Sequence, residues 1–98
     1  MAKRLLLVTY ACTHEVGAAF VREMKASGVY DAVLHEDGCE KYTYLFPSEG
    51  DGLCLVEQWR DEEALLKHST GEAMAALKKI KAAYPMDTSI EKFEVNPK

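Results

Sequence analysis

The chain has no basic cluster, no cysteine pair at redox or metal spacing, and no apolar run near the roughly 18 residues that a membrane helix needs. Each absence removes a class of function. Twelve Lys and Arg against sixteen Asp and Glu leave a net charge of -4, which offers nothing to a phosphate backbone or an anionic lipid surface. Neither nucleic acid nor a membrane is expected as a partner. The three cysteines, Cys12, Cys39 and Cys54, are odd in number and lie beside or within apolar stretches, so they are expected to be buried, reduced thiols acting as small hydrophobes. The opening Met-Ala-Lys-Arg-Leu-Leu-Leu-Val has the look of a leader peptide, but its apolar run stops at Thr9 without a small-residue cleavage site, and it reads better as a first strand. A cytoplasmic location is the expectation. Ninety-eight residues with 48% hydrophobic composition suit a single domain, residues 1–98, with an ordinary core.

What is present alternates between strand and helix periods. Arg4 to Cys12 is apolar on both faces, with Leu5 and Leu7 on one side and Leu6, Val8 and Tyr10 on the other. Thr13 is a plausible N-cap for a helix whose inward stripe is Val16, Ala19, Phe20 and Met24, ended by Ser27-Gly28. Val29 to Leu34 is ambiguous and reads as an irregular helical turn. After the Glu36-Asp37-Gly38 turn, Tyr42, Tyr44 and Phe46 alternate with Thr43 and Leu45 in a second strand that Pro47 closes. Leu53 to Trp59 forms the next, with Leu53, Leu55, Glu57 and Trp59 on one face and Cys54, Val56 and Gln58 on the other. Asp61 caps a short helix to His68; Ser69 and Glu72 read as a capping box for another, striped by Ala73, Leu77, Ile80 and Tyr84 and stopped by Pro85. Ser89 to Val95 is the last strand.

Strand, helix, strand, strand, helix pair, strand is the ferredoxin-like βαββαβ plan, an α+β fold with an antiparallel sheet and helices on one face. The helices can cover only one face, yet the first three strands are apolar on both. A second copy packed sheet to sheet is the economical cover, so a homodimer through the sheet faces is expected.

The corner from Glu57 to His68 holds the candidate chemistry, an acid, an indole and an imidazole around one strand-to-helix turn. Ala64, Leu65 and His68 share a helix side, which sends His68 inward. Histidine is the one side chain whose ordinary pKa, about 6.5, suits proton removal at neutral pH, which makes His68 the candidate base. A helix-terminal imidazole bonded to a carbonyl is the structural alternative. Trp59 is either a core anchor or a wall that stacks on an aromatic ligand. Tyr10, Tyr42 and Tyr44 are either sheet packing or further walls. Glu57 on an apolar face needs a partner, and an interface ion pair with Arg60 or a lysine of a second copy competes with a role in the pocket. His14 and His35 adjoin turns and are expected in solvent, though His35 beside Glu36 could reach a pocket mouth. Lys78, Lys79 and Lys81 read as a solvated helix face.

These residues resemble the antibiotic biosynthesis monooxygenase (ABM) family over essentially the whole chain. Glu36-Asp37-Gly38-Cys39 followed by Tyr42 is similar to that family's acidic-Gly-Cys-x-x-Tyr turn. Val56-Glu57-Gln58-Trp59 with Ala64, His68, Thr70 and Met74 is closest to its quinol monooxygenase branch, where Glu-x-Trp and a following helix-terminal His recur. The resemblance implies a dimeric α+β barrel and a cofactor-independent oxygenase, using neither metal nor flavin, whose small aromatic substrate, a quinol or polyphenol, reduces dioxygen once deprotonated. It implies His68 as the base and Trp59, Tyr42, Tyr44, Tyr10 and Glu57 around the substrate. The chain departs from the haem-degrading branch, since the positions matching its Asn and axial His fall near Tyr10 and Lys78, and an ammonium is a poor axial ligand. Many members carry Thr-x-x-His-Met where this chain has Thr70-Gly71-Glu72-Ala73-Met74, so Ala73 removes one polar group from a direct copy of the quinol site. A non-catalytic small-molecule-binding dimer and an isomerase of a small hydroxy-ketone are the alternative readings.

Overall fold

A computed structural model describes residues 2–95. Its elements run β1 (Lys3–Ala11), α1 (His14–Ala26), α2 (Val29–Leu34), β2 (Cys39–Leu45), β3 (Leu53–Trp59), α3 (Glu62–Ser69), α4 (Glu72–Lys81) and β4 (Asp87–Val95). The strands form one antiparallel sheet in the order β2-β3-β1-β4, so the two most apolar strands, β1 and β3, lie in the middle. This is the expected βαββαβ architecture.

Period-two alternation decides which side chains meet the helices. On β3, Leu53, Leu55, Glu57 and Trp59 are buried while Cys54, Val56 and Gln58 are half-buried; on β1, Leu6, Val8 and Tyr10 are buried. Phe20, Val21 and Met24 of α1, Val29 and Val33 of α2, Ala64 and Leu65 of α3, and Leu77 of α4 close over that face. The opposite face carries Leu5, Leu7, Val56, Leu45 and Phe93, with Leu5 paired to Phe93 and Leu7 to Val56 across the ladders. Among the described residues no helix covers it, and Leu7, Leu45 and Phe93 stay 37%, 48% and 43% exposed. No helix among the described residues is long and apolar enough to cross a membrane.

The caps explain where the helices start. The Thr13 side chain accepts the Val16 N–H and the Asp61 side chain accepts the Ala64 N–H, as their positions predict. Three local expectations are corrected. Val29–Leu34 is a regular helix after Gly28, whose φ of 84° reverses the chain cheaply only for glycine. Ser69 does not cap α4: it remains in the last turn of α3, where its hydroxyl donates to the Leu65 carbonyl at 3.0 Å, and Gly71 precedes α4 instead. Helix α4 ends at Lys81, short of Tyr84, although Tyr84 still packs edge-on against Phe20 and donates to Glu23 at 2.5 Å. The cysteines are free thiols but half-buried rather than buried, and burial pushes the Cys39 thiol up to about 11.

Candidate functional site

Glu57 and Trp59 are two residues apart on the inward face of β3, which lets the Trp59 indole N–H donate to Glu57 Oε1 at 3.1 Å. Helix α3 then carries His68 back over them. The imidazole stacks on the indole with ring centroids 4.4 Å apart and planes 25° from parallel, and meets Tyr42 edge-on at 6.0 Å. His68 Nδ1 lies 2.6 Å from Glu36 Oε1. An ionised carboxylate can only accept, so that geometry places a proton on Nδ1. Nε2 points toward Glu57 Oε1 at 3.8 Å and, among the described residues, has no hydrogen-bond partner although it is buried. The result is a carboxylate, imidazole, carboxylate line, Glu57–His68–Glu36, in which side-chain exposure rises from 8% and 1% to 24% at Glu36.

The outer carboxylate is held by a tight turn. Cys39 N–H donates to the Glu36 carbonyl at 3.1 Å, Arg60 N–H donates to the Gly38 carbonyl at 2.8 Å, and the Arg60 guanidinium forks onto Asp37 at 3.1 and 3.2 Å. Arg60 also approaches Asp61 at 3.6 Å. Arg60 is therefore committed to Asp37 and Asp61, and within one chain it does not pair with Glu57. Gly38 sits at φ 84°, and a Cβ built there would collide with the Ala64 Cβ on α3. Gly38→Ala is expected to cost about 2 kcal/mol and to lower the thermal midpoint by about 8 °C or more, read by differential scanning calorimetry. An unshifted midpoint would mean that the turn moves freely away from α3.

Between the sheet and α4 lies a cavity of about 260 Å³. Val8, Tyr10, Tyr42 and Ile90 line it from the sheet, Met74 and Leu77 from α4, and Glu57 is the one carboxylate on its wall. Burial raises the Glu57 pKa above the ordinary carboxylate value, against the opposing pull of the Trp59 N–H and of His68, while Glu36 adds to the rise. Burial likewise drives the Tyr10 and Tyr42 phenols up, so both remain protonated donors at neutral pH. A second, smaller hollow of about 140 Å³, lined by Glu36, Asp37, Ala64, Lys67 and His68, opens on the far side of the imidazole.

The structure thus brings Tyr10, Tyr42 and Glu57 to one cavity. Trp59 and His68 stand behind Glu57 and are not among the lining residues, and Tyr44 packs edge-on to Tyr42 one step further from it. His14 packs on Phe46 at 5.3 Å, and His35 Nδ1 bonds the Asp31 carbonyl of its own helix at 2.7 Å, so neither joins the site. Sequence reasoning missed the role of Glu36, which meets His68 across 32 positions. The solvated face expected of Lys78, Lys79 and Lys81 holds for Lys78 and Lys79, which are exposed, while Lys81 is half-buried; Lys78 and Lys81 also line the cavity. The spacing of Met74, Leu77, Lys78 and Lys81 at i, i+3, i+4 and i+7 was the available signal.

Solved structures with the same fold are numerous. A conserved Bacteroides thetaiotaomicron protein of unknown function, described as a possible oxidoreductase, superposes with a TM-score of 0.80 at 22% identity, over 95% of this chain and 97% of that one. A candidate antibiotic biosynthesis monooxygenase from Deinococcus radiodurans gives 0.79 at 18% identity over 97% and 94%, and one from Caulobacter crescentus gives 0.76 at 15% over 98% and 92%. At these identities the likeness establishes the fold. Among curated proteins none is a significant match. The family profile described as antibiotic biosynthesis monooxygenase matches residues 8–80, well over half of the sequence, and on that match the chain belongs to the antibiotic biosynthesis monooxygenase family.

Proposed function

We propose that the protein is a cofactor-independent monooxygenase of a quinol or polyphenol-like aromatic, working as a homodimer, with Glu57 meeting the substrate and His68 acting through Glu57. The observation that carries this reading is a cavity walled by apolar and phenolic side chains that displays a single buried carboxylate of raised pKa, backed by an imidazole whose free nitrogen faces it. Such a slot suits an aromatic ring and holds one base at the point where a phenolic hydroxyl would sit.

The chemistry asks for few parts. Glu57 takes a phenolic proton, and the anion that remains is electron-rich enough to pass one electron to dioxygen. The resulting ring radical and superoxide combine at a ring carbon to form a C–O bond and a peroxide. Loss of the ring hydrogen as a proton then breaks the O–O bond and expels water, with Glu57 returning its proton to the departing oxygen. One quinol and one dioxygen give one hydroxyquinone and one water, so no external reductant enters. His68 receives or lends a proton at Nε2 and Glu36 fixes its ring through Nδ1, an arrangement that keeps the imidazole oriented while its charge changes. Tyr10 and Tyr42, still protonated, can donate to the substrate's developing oxyanion.

The dimer is proposed on the bare sheet face. Leu5, Leu7, Val56, Leu45 and Phe93 form a connected apolar surface opposite the helices, which a twofold sheet-to-sheet contact would remove from water.

Oxygen uptake with simple hydroquinones, corrected for autoxidation, tests the activity. Wild-type protein should consume oxygen, and His68→Ala should lower turnover at least tenfold while circular dichroism and the oligomeric mass stay unchanged. The rate should rise with pH through the Glu57 pKa, because the base must be ionised, with a midpoint above the ordinary glutamate value of about 4.3. Uptake that ignores both the substitution and pH would remove the pair from the mechanism. No uptake at all would leave a binding protein or an isomerase.

A further inference from the structure

The cavity has a second polar end that the chemistry above does not use. Helix α4 presents Met74, Leu77, Lys78 and Lys81 to it, so the stripe changes from apolar to cationic along the helix. Lys81 is aimed rather than loose: its Nζ donates to Thr88 Oγ1 at 2.6 Å and stands 5.7 Å from the centre of the Tyr10 ring. Thr88 and Tyr10 line the same cavity and face each other across the β1–β4 ladder. An ammonium has three donors, so Lys81 keeps two beyond the Thr88 bond. Among the described residues neither Lys78 nor Lys81 has a carboxylate within ion-pair distance. Lys81 is half-buried on the cavity wall and Lys78 stands exposed at its mouth, so this end of the cavity offers an anion from outside two ammonium groups that no acid of the described residues occupies.

The register sets where that anion would lie. Glu57 stands opposite Leu6 and Thr88 opposite Tyr10, four residues apart on β1, which is about 13 Å along the strand. The reach of the Glu57 and Lys81 side chains shortens the gap to the length of an aromatic nucleus with a substituent at each end. An anionic group held at the Lys81 end is also kept away from Glu57, so it does not oppose ionisation of the base.

We infer that the ligand is an aromatic acid, its phenolic end at Glu57 and its anionic group between Lys78, Lys81 and Thr88. The inference rests on the cavity being the substrate site, and it deepens that reading by naming a substrate class. Isothermal titration of the full chain tests it with two probes, a hydroquinone bearing a ring carboxylate and the methyl ester of the same acid. Wild-type protein should bind the acid about tenfold more tightly than the ester, a difference of about 1.4 kcal/mol. The double variant Lys78→Gln, Lys81→Gln should lose that preference and keep its affinity for the ester, and raising the ionic strength to about 0.15 M should weaken only the acid. Equal affinities, a preference that survives the double variant, or no binding of either probe would overturn the inference. Oxygen uptake in the same samples separates it from the proposed activity: preferential binding of the acid without uptake would sink the oxygenation and leave the anion site, whereas uptake with the ester at least as fast as with the acid, and no binding preference, would do the reverse.

Discussion

Glu57→Gln should abolish most turnover and at the same time make the protein more stable. The amide keeps the shape of the carboxylate and can still accept the Trp59 N–H through its oxygen, so the packing under β3 is preserved. What it loses is the proton acceptor on the cavity wall. A positioned general base contributes a factor of about 10² to 10⁴, and a fall of at least about 10² in kcat is the expected outcome. The stability gain follows from the direction of the pKa shift. The folded protein holds the Glu57 proton more tightly than the unfolded chain does, so the wild-type contribution is most favourable below the unfolded pKa of about 4.3 and is lost as pH rises through the higher folded value. Glutamine has no proton to lose. The variant's advantage should therefore be small below the unfolded pKa and grow as pH rises through the folded value, appearing as a thermal midpoint above that of the wild type at neutral pH. Calorimetry of both proteins across pH at one concentration reads it. Wild-type turnover in the variant would take Glu57 out of the chemistry, and a destabilised variant would mean that the ionised carboxylate holds the fold together.

The second large effect concerns the bare sheet face. Leu7 and Val56 are direct neighbours across the β1–β3 ladder at its centre. Packed sheets stand about 10 Å apart, a gap that apolar side chains fill and that water does not enter. Replacing both by lysine would place four ammonium groups in that layer, two from each copy, at a cost of several kcal/mol per unpaired charge. Light scattering should give a mass near twice 11.0 kDa for the wild type and near 11.0 kDa for Leu7→Lys, Val56→Lys, with circular dichroism unchanged because the helix-covered core lies on the other face. A wild-type monomer at micromolar concentration would end the dimer proposal.

Strand faces were legible because period two leaves little freedom. Once Leu53, Leu55 and Trp59 must be inside, Glu57 has to join them and Val56 must lie on the other side, whereas β1, apolar on both faces, did not show by itself which face turns inward. Asp61 and Thr13 were legible as caps for a local reason, since each bonds an N–H three residues away. Ser69 failed by the same kind of reasoning. Ser-x-x-Glu matched the local pattern, but the end of α3 is set by Leu65 and His68 packing inward, and that pulls Ser69 into the helix. Val29–Leu34 spans less than two turns, too short for a period to show. The site was half visible. An inward His68 beside Trp59 could be placed from spacing alone, whereas its contact with Glu36 depends on how a turn 32 residues earlier folds beneath α3. Lys81, at the inward edge of a stripe, reads as solvated until the strand that meets it is known, and β4, whose Thr88 bonds it, comes last in the chain.

Trp59 is the sole indole in the chain, and its flat face lies 4.4 Å from the ring of the one histidine buried in the core. An imidazolium is an electron acceptor toward an excited indole and a neutral imidazole is a far poorer one. The emission intensity of the unlabelled protein is therefore expected to report the charge on His68 without any added probe.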